Sequence, residues 1–271
     1  MRYEFKKLLG FREIWIGGLL LTAYLLFAVI MESSEAQDWS LIYQFITRFG
    51  SLLFPGFLII GLSRVFCYEY SEHTDTLIHA CKSGKKKAFH NKIGLSALYS
   101  VCIAIFFTGI ALVIYMLPIG IGVSLPAIDQ RYAVFSLSNV GIYSLQVLLM
   151  TAGGLSLAGF ILMLSTIVRQ GAVVMIISGA FYGTLMIYDT FIRHRAFSPI
   201  FQVIDSVLKY SPIDLINLNG YGCADIWDIQ TNYLNGNVKA SNLIIPLLVI
   251  TIITAIELFI AYAVWTRRAR K

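Results

Sequence analysis

Charged side chains are scarce in this sequence. Asp, Glu, Lys and Arg make up 13% of its 271 residues, whereas roughly a quarter is usual in a soluble domain. Hydrophobic residues account for 58% of the chain, and its mean hydropathy is +0.74. Water could not solvate the surface that this composition would leave, so we expect much of that surface to meet lipid.

Three further absences limit the chemistry that we expect. The four cysteines form no CxxC pair, and in the topology given below they lie on different sides of the membrane or inside it, so neither a disulfide framework nor a zinc site is expected. No HExxH motif occurs, and no metal site or catalytic residue is predicted. The phosphate-binding motif GxxxxGK[ST] is also missing, so the chain is not expected to hydrolyse ATP alone.

Long apolar runs recur along the whole sequence, and a helical span of a bilayer needs roughly 20 such residues. The pattern predicts an all-α integral membrane protein with six transmembrane helices. They are expected at residues 14–31, 43–66, 93–118, 135–168, 172–188 and 243–265. Pro55 and Gly56 predict a kink in the second span, and Arg48 can extend to the headgroups near its outer end.

Basic residues fall unevenly on the two sides of this arrangement. With both termini in the cytoplasm, 15 of the 21 Lys and Arg residues lie on the cytoplasmic side, as membrane proteins prefer. Residues 1–12 place Phe5, Leu8 and Leu9 on one helical face, which predicts an interfacial helix. The net charge of +6 therefore indicates cytoplasmic loops and anionic lipid headgroups rather than nucleic acid, for which no basic stripe with interleaved aromatics is present.

Two polar segments interrupt the spans. Residues 189–242 form the longest one, an external loop in which Ile200, Val203, Ile204, Val207 and Leu208 predict an amphipathic helix. Residues 64–92 form a cytoplasmic loop ending in a lysine cluster. A short helix capped around Thr74 or Asp75 would make this loop a docking element for a soluble partner.

The block EYSEHTDTLIHACKSGKKKAFHNKIG within that loop resembles the first cytoplasmic loop of type-2 ABC export permeases. The resemblance rests on an acidic-aromatic pair, a Thr and Leu core, a Ser and basic residues before the next span. The matching residues are Glu69, Tyr70, Thr76, Leu77, Ser83 and Lys85–Lys87. The segment departs from the family in having His73-Thr74-Asp75 where Gly-Thr is common, and no Pro after Ser83. The Ser211-Pro212 element, the order of the spans and the basic N-terminal helix are also similar.

This resemblance implies a single permease domain over residues 1–271, in a bacterial-type plasma membrane. It implies that the first loop couples to a separate ATPase subunit, which would bind ATP and Mg and be present in two copies. A second permease chain, identical or different, would complete the pathway for an amphipathic peptide, drug or lipid-like substrate. The residues expected to couple are Glu69, Tyr70, Glu72, Thr76, Leu77, Ser83 and Lys85.

Polar side chains within spans are candidates for the transport pathway because they are costly in lipid. Glu257, Gln146 and Arg48 are such residues. Glu257 could line the pathway, pair with a neighbour or reach the cytoplasmic interface, and the sequence does not choose between these roles.

Two other functions stay open at this level. One is an ion-coupled transporter or channel that works without an ATPase. The other is an intramembrane enzyme using the carboxylates and histidines of residues 69–90. Alanine in place of Glu72, His73 and His79 separates an enzyme, which would lose its activity, from a docking loop, which would lose partner binding.

Overall fold

The computed structural model describes residues 10, 12, 15–20, 22–23, 39–72, 74, 78, 84–119, 139–188, 210–217 and 241–268. These residues form helices and turns, without a strand among them, and residues 15–20 are helical. The longer elements are α1 (Trp39–Leu62), α2 (Cys67–Ser71), α3 (Gly84–Ile119), α4 (Asn139–Ile167), α5 (Gly171–Ile187), α6 (Pro212–Asn217) and α7 (Ser241–Arg268).

Four stretches of helix are long and apolar enough to cross a membrane. They are Gly50–Ser71, Lys86–Val113, Tyr143–Ile167 and Ile244–Arg267. The apolar helix α5 is shorter and follows α4 after the turn at Val168–Gln170, as the sequence predicts. The described residues are therefore those of an all-helical, multi-pass membrane protein. The predicted interfacial helix at 1–12 and much of the predicted first span lie outside the described residues.

The second predicted span ends earlier than expected. Its helix α1 stops at Leu62, and a turn over residues 63–66 leads into α2. Conversely, α3 begins at Gly84, so the lysines after Ser83 belong to a helix that continues into the next span rather than to an irregular loop. The predicted loop 64–92 is thus largely helical at both of its ends.

The middle of α4 is where three helices approach most closely. A Cβ atom on Gly154 would overlap the Phe54 ring of α1 and lie 2.9 Å from Ser100 Oγ of α3. On the adjacent face, a Cβ atom on Gly153 would lie 2.8 Å from the carbonyl O of Pro212, in α6. Because these approaches leave no room for a side chain, the two glycines set the spacing of the bundle.

Helix α6 lies inside the bundle, although its residues fall in the predicted external loop. Ile213, Leu215 and Ile216 are buried, and α6 packs against α1, α4 and α5. Its contact at Gly153 is near the middle of the candidate span Tyr143–Ile167. The apolar residues on either side of Asp214 explain this placement, since they would be unfavourable in an exposed loop.

Most hydroxyl groups within the helices bond to the backbone of the preceding turn. Thr108, Ser165, Ser178 and Thr254 each donate to a carbonyl three or four residues earlier, which removes the cost of an unpaired polar group in lipid. By contrast, Ser96, Ser100 and Ser211 are buried with hydroxyls that find no hydrogen-bond partner in the described part of the chain.

Candidate functional site

An ion pair lies buried where the first loop meets the helices. Lys92 of α3 and Glu69 of α2 are 0% and 2% exposed, and their Nζ and Oε1 atoms are 2.9 Å apart. Lys92 Nζ also donates to the carbonyl O of Val65 and lies 5.0 Å from the centroid of the Phe66 ring. The ammonium group therefore has a carboxylate, a carbonyl and an aromatic face in place of water.

The turn between α1 and α2 makes one of these contacts available. In a continuous helix the Glu69 N–H would donate to the Val65 carbonyl, but it donates instead to the carbonyl O of Phe66, at 3.2 Å. The Val65 carbonyl is then free of the helical hydrogen-bond pattern and accepts a hydrogen bond from Lys92 Nζ. The end of α1 at Leu62 therefore provides one of the hydrogen bonds that hold Lys92 in the ion pair.

Four aromatic rings pack together beside the pair and connect α3 to the end of α7, and Phe66 is the ring over which Lys92 Nζ lies. We call Phe66, Phe89, Tyr262 and Trp265 the aromatic cluster. The Phe66 ring centroid lies 5.1 Å from that of Trp265 and 5.7 Å from that of Phe89, and Phe89 lies 5.1 Å from Tyr262. Trp265 and Phe66 are fully buried. This packing excludes water from the Glu69–Lys92 pair and strengthens its electrostatic attraction.

The same loop is also attached to the end of α4. Cys67 Sγ donates to the carbonyl O of Val168, at 3.2 Å, and lies 3.6 Å from that of Ser165. The guanidinium of Arg169 lies 5.9 Å from the centroid of the Tyr70 ring. At this end, which we call the first-loop end, residues 65–70 consequently contact α3, α4 and α7 together. A force on the loop would reach three long helices through direct packing.

The residues predicted to couple to an ATPase differ in their burial. Glu69 is enclosed in its ion pair, Tyr70 is half-buried beside Trp265, and Glu72 is exposed. Lys85 belongs to α3, whereas Thr76, Leu77 and Ser83 lie outside the described residues. Among the described coupling residues, Glu69 is therefore enclosed, whereas Glu72, three residues further on, is exposed.

The cap predicted near Thr74 coincides with a helical turn. The Ile78 N–H donates to the carbonyl O of Thr74, at 3.1 Å, and the Thr74 N–H donates to that of Glu69, at 3.0 Å. The backbone of Thr74 is thus hydrogen-bonded to Glu69, the acidic residue of the ion pair.

The three candidate pathway residues lie on three different helices. Gln146 of α4 is fully buried, and neither its Nε2 nor its Oε1 has a hydrogen-bond partner in the described ranges. Glu257 of α7 lies against Gly159 of α4. Arg48 lies within α1. Gln146 and Glu257, which each have polar atoms without a partner among the described residues, do not form a hydrogen bond with each other.

Two functional residues were missed by sequence reasoning, Lys92 and Trp265. Lys92 counts in the sequence as one more member of the lysine cluster, yet it is the member followed directly by the apolar run from Ile93. An acidic residue and a basic residue that each adjoin a span, at the two ends of one loop, are a signal for such a pair. Trp265 has the position of an ordinary interfacial aromatic, and nothing in the sequence distinguishes it.

No group of three His, Cys, Asp or Glu side chains able to hold a metal ion occurs among the described residues. His90, the histidine of this region that the structure describes in full, is exposed and donates from Nδ1 to the carbonyl O of Lys86, at 2.7 Å. The sequence matches no protein-family model, and no curated protein is significantly similar to it.

Proposed function

We propose that this chain is the transmembrane permease subunit of an ATP-driven ABC exporter in a bacterial-type plasma membrane. The observation that carries the proposal is the attachment of the first loop, through the buried Glu69–Lys92 pair, to the ends of α3, α4 and α7. A loop that merely joined two spans would not need a desolvated ion pair. A loop that receives force from a partner needs a rigid connection to the spans.

The chain lacks a phosphate-binding motif, so the energy must come from another subunit. In this account a nucleotide-binding protein sits on residues 72–87, at the exposed side of the first loop. ATP and Mg bind in that partner, which is present in two copies, and a second permease chain completes the pathway. All six spans and both cytoplasmic termini belong to this proposal.

Within the proposal, the coupling residues divide into two kinds. Glu72, Thr76, Leu77, Ser83 and Lys85 form the contact surface for the ATPase. Glu69 and Tyr70 are positioning residues, because they hold that surface against the spans. Movement of the loop then passes to α3 through Lys92 and to α7 through Trp265.

Co-purification tests the proposal. The full chain is isolated from native membranes in mild detergent, and the proteins that accompany it are identified by mass spectrometry. We expect a stoichiometric nucleotide-binding protein, lost when Thr76 and Leu77 are both replaced by Glu. The matched control carries Glu at Ser124 and Leu125, a Ser-Leu pair in the loop predicted on the opposite side, and it should retain the partner.

A chain that purifies alone, under conditions that preserve other membrane complexes, contradicts the exporter. It favours a transporter that works without an ATPase, or an intramembrane enzyme. Alanine in place of Glu72, His73 and His79 then separates these two, since the enzyme alone would lose all activity.

A further inference from the structure

Glu257 is the acidic side chain of the candidate span Ile244–Arg267, whose other charged residue, Arg267, lies at its end. It lies just over two turns before Trp265, about 12 Å along the axis of α7 from the first-loop end. Its Oε2 atom is buried, and no described residue offers it a hydrogen bond. Because a carboxylate at this depth is expensive to keep, it indicates a function that uses the charge.

The space around this carboxylate is provided by Gly159 of α4. A Cβ atom on Gly159 would lie 2.9 Å from Glu257 Oε2 and 3.1 Å from Thr254 Cγ2. The Thr254 hydroxyl does not solvate the carboxylate, since it donates to the carbonyl O of Ile250, at 2.8 Å. The carboxylate therefore occupies a position that any larger residue at 159 would close.

This position is accessible from the lipid side of the bundle. The neighbouring residues Ile256, Phe259 and Ile260 are 53%, 72% and 38% exposed, and Glu257 itself is half-buried. In a bilayer these apolar side chains would contact acyl chains. A molecule dissolved among the acyl chains could reach the carboxylate sideways, with its apolar part on this face of α7.

The described part of a second copy of this chain offers no basic side chain at the same depth. Lys92 is already paired, and Arg64, Arg169 and Arg267 lie at the first-loop end with it. Arg48 is about 21 Å from Leu62 along α1, well beyond the level of Glu257. Among the described residues no positive charge faces Glu257, and a cationic molecule that enters the bilayer would supply one.

The geometry points to Glu257, placed against Gly159, as the binding site for the cationic group of an amphipathic substrate. The inference rests on the proposed function and narrows its substrate to amphiphiles that carry a positive charge. A cation beside the carboxylate neutralises it where water is scarce, so the two charges stabilise each other far more than at the membrane surface. The apolar part of the same molecule covers Ile256, Phe259 and Ile260.

Two organic ions of the same shape and opposite charge test this site. The purified full chain in phosphatidylcholine nanodiscs is dialysed against tetraphenylphosphonium or tetraphenylborate, and binding above that of empty nanodiscs is measured. We expect saturable binding of the cation alone. Glu257→Gln should weaken it at least about tenfold, and Glu257→Asp, which keeps the charge, should restore most of it.

A second pair of variants tests the geometry without removing the charge. Gly159→Ala should also weaken cation binding, because its Cβ atom displaces the carboxylate. Gly179→Ala is the matched control, since a Cβ atom there meets nothing within 4 Å. Glu72→Gln, an exposed carboxylate of the first loop, should leave binding unchanged.

Equal binding of the two ions, or full cation binding by the monodisperse Glu257→Gln protein, overturns the inference. Saturable binding of neither ion to the wild-type chain overturns it as well. These measurements use the permease alone. A failure here leaves co-purification with an ATPase intact. If no ATPase co-purifies from native membranes but the purified chain binds the cation through Glu257, the exporter is contradicted and the site is kept.

Discussion

At the scale of single residues, the protein depends most on the pair formed by Glu69 and Lys92. Both side chains are enclosed, and each is the other's counter-charge. Removing one member of a buried pair leaves an uncompensated charge, whereas replacing both with apolar residues of similar size removes the desolvation cost as well. Single and double substitutions can therefore test whether Glu69 and Lys92 stabilise each other.

We predict that Glu69→Gln or Lys92→Met lowers the free energy of unfolding by about 3 to 5 kcal/mol. The double variant Glu69→Leu/Lys92→Met should recover most of that loss, because it buries no charge. Thermal unfolding of the detergent-solubilised protein, followed by circular dichroism, measures both effects.

The controls for these single and double variants are Glu72→Gln and Lys86→Met, which alter exposed charges on either side of the same loop. They should change the free energy of unfolding by less than about 1 kcal/mol. Additive effects of the two buried substitutions, without recovery in the double variant, would show that Glu69 and Lys92 do not stabilise each other.

Little of this site could be predicted from the residues themselves. Glu69 was nominated from the acidic-aromatic pair of the first loop, but its burial depends on Lys92, which is distant in the sequence. Lys92 reaches this position because the Glu69 N–H donates to the carbonyl O of Phe66. The carbonyl O of Val65 is then available to accept a hydrogen bond from Lys92 Nζ. A hydropathy pattern does not show which of two carbonyl groups a backbone N–H will bond to.

At the scale of helices, close approach in the middle of α4 organises the bundle. Without a hydrophobic driving force between helices in lipid, packing of small residues is a main source of attraction. Gly154 meets Phe54 of α1 and Ser100 of α3, whereas Gly153 meets the backbone of Pro212 in α6. Substitution should therefore separate α4 from its neighbours.

We predict that Gly153→Ala and Gly154→Ala each destabilise the protein by about 1 to 3 kcal/mol, the range for overpacking a well-packed interior. Gly153→Ala should be the more damaging of the two, because its Cβ atom would meet a carbonyl oxygen of the backbone rather than a side chain that can rotate. The midpoint of thermal unfolding in detergent is the measurement.

Gly179→Ala and Gly183→Ala in α5 serve as controls, since a Cβ atom at either position has open space. Each should leave the midpoint unchanged or raise it slightly, because alanine favours helix. Equal losses for Gly153→Ala and the controls would mean that the approach of α6 to α4 does not matter for stability.

The sequence predicts the long helices well and the short one poorly. Hydropathy places both ends of α4, α5 and α7 to within about four residues, because each is a long apolar run, whereas α3 begins at Gly84, well before its predicted span at residue 93. The Ser211-Pro212 element was assigned to an external loop, since it adjoins a long polar stretch. Its burial depends on the room that Gly153 leaves, which is a property of two segments together.

At the scale of the whole molecule, the described helices form a bundle whose first loop is attached to three of them at one end. The proposed exporter uses this attachment to pass movement of an ATPase to the spans. The count of six spans and the side on which the loop lies follow from hydropathy and from the distribution of lysine and arginine. They remain predictions, and contact between the loop and an ATPase would establish the side directly.

The most direct test of the exporter is therefore photo-crosslinking from the first loop in living cells. A photo-reactive amino acid replaces Thr76 in one variant and Ser124, in the loop predicted on the opposite side, in another. The account predicts that light joins the Thr76 variant to a nucleotide-binding protein, identified by mass spectrometry, and that the Ser124 variant gives no such product. Absence of this crosslink from Thr76, or its appearance from Ser124, would contradict the account.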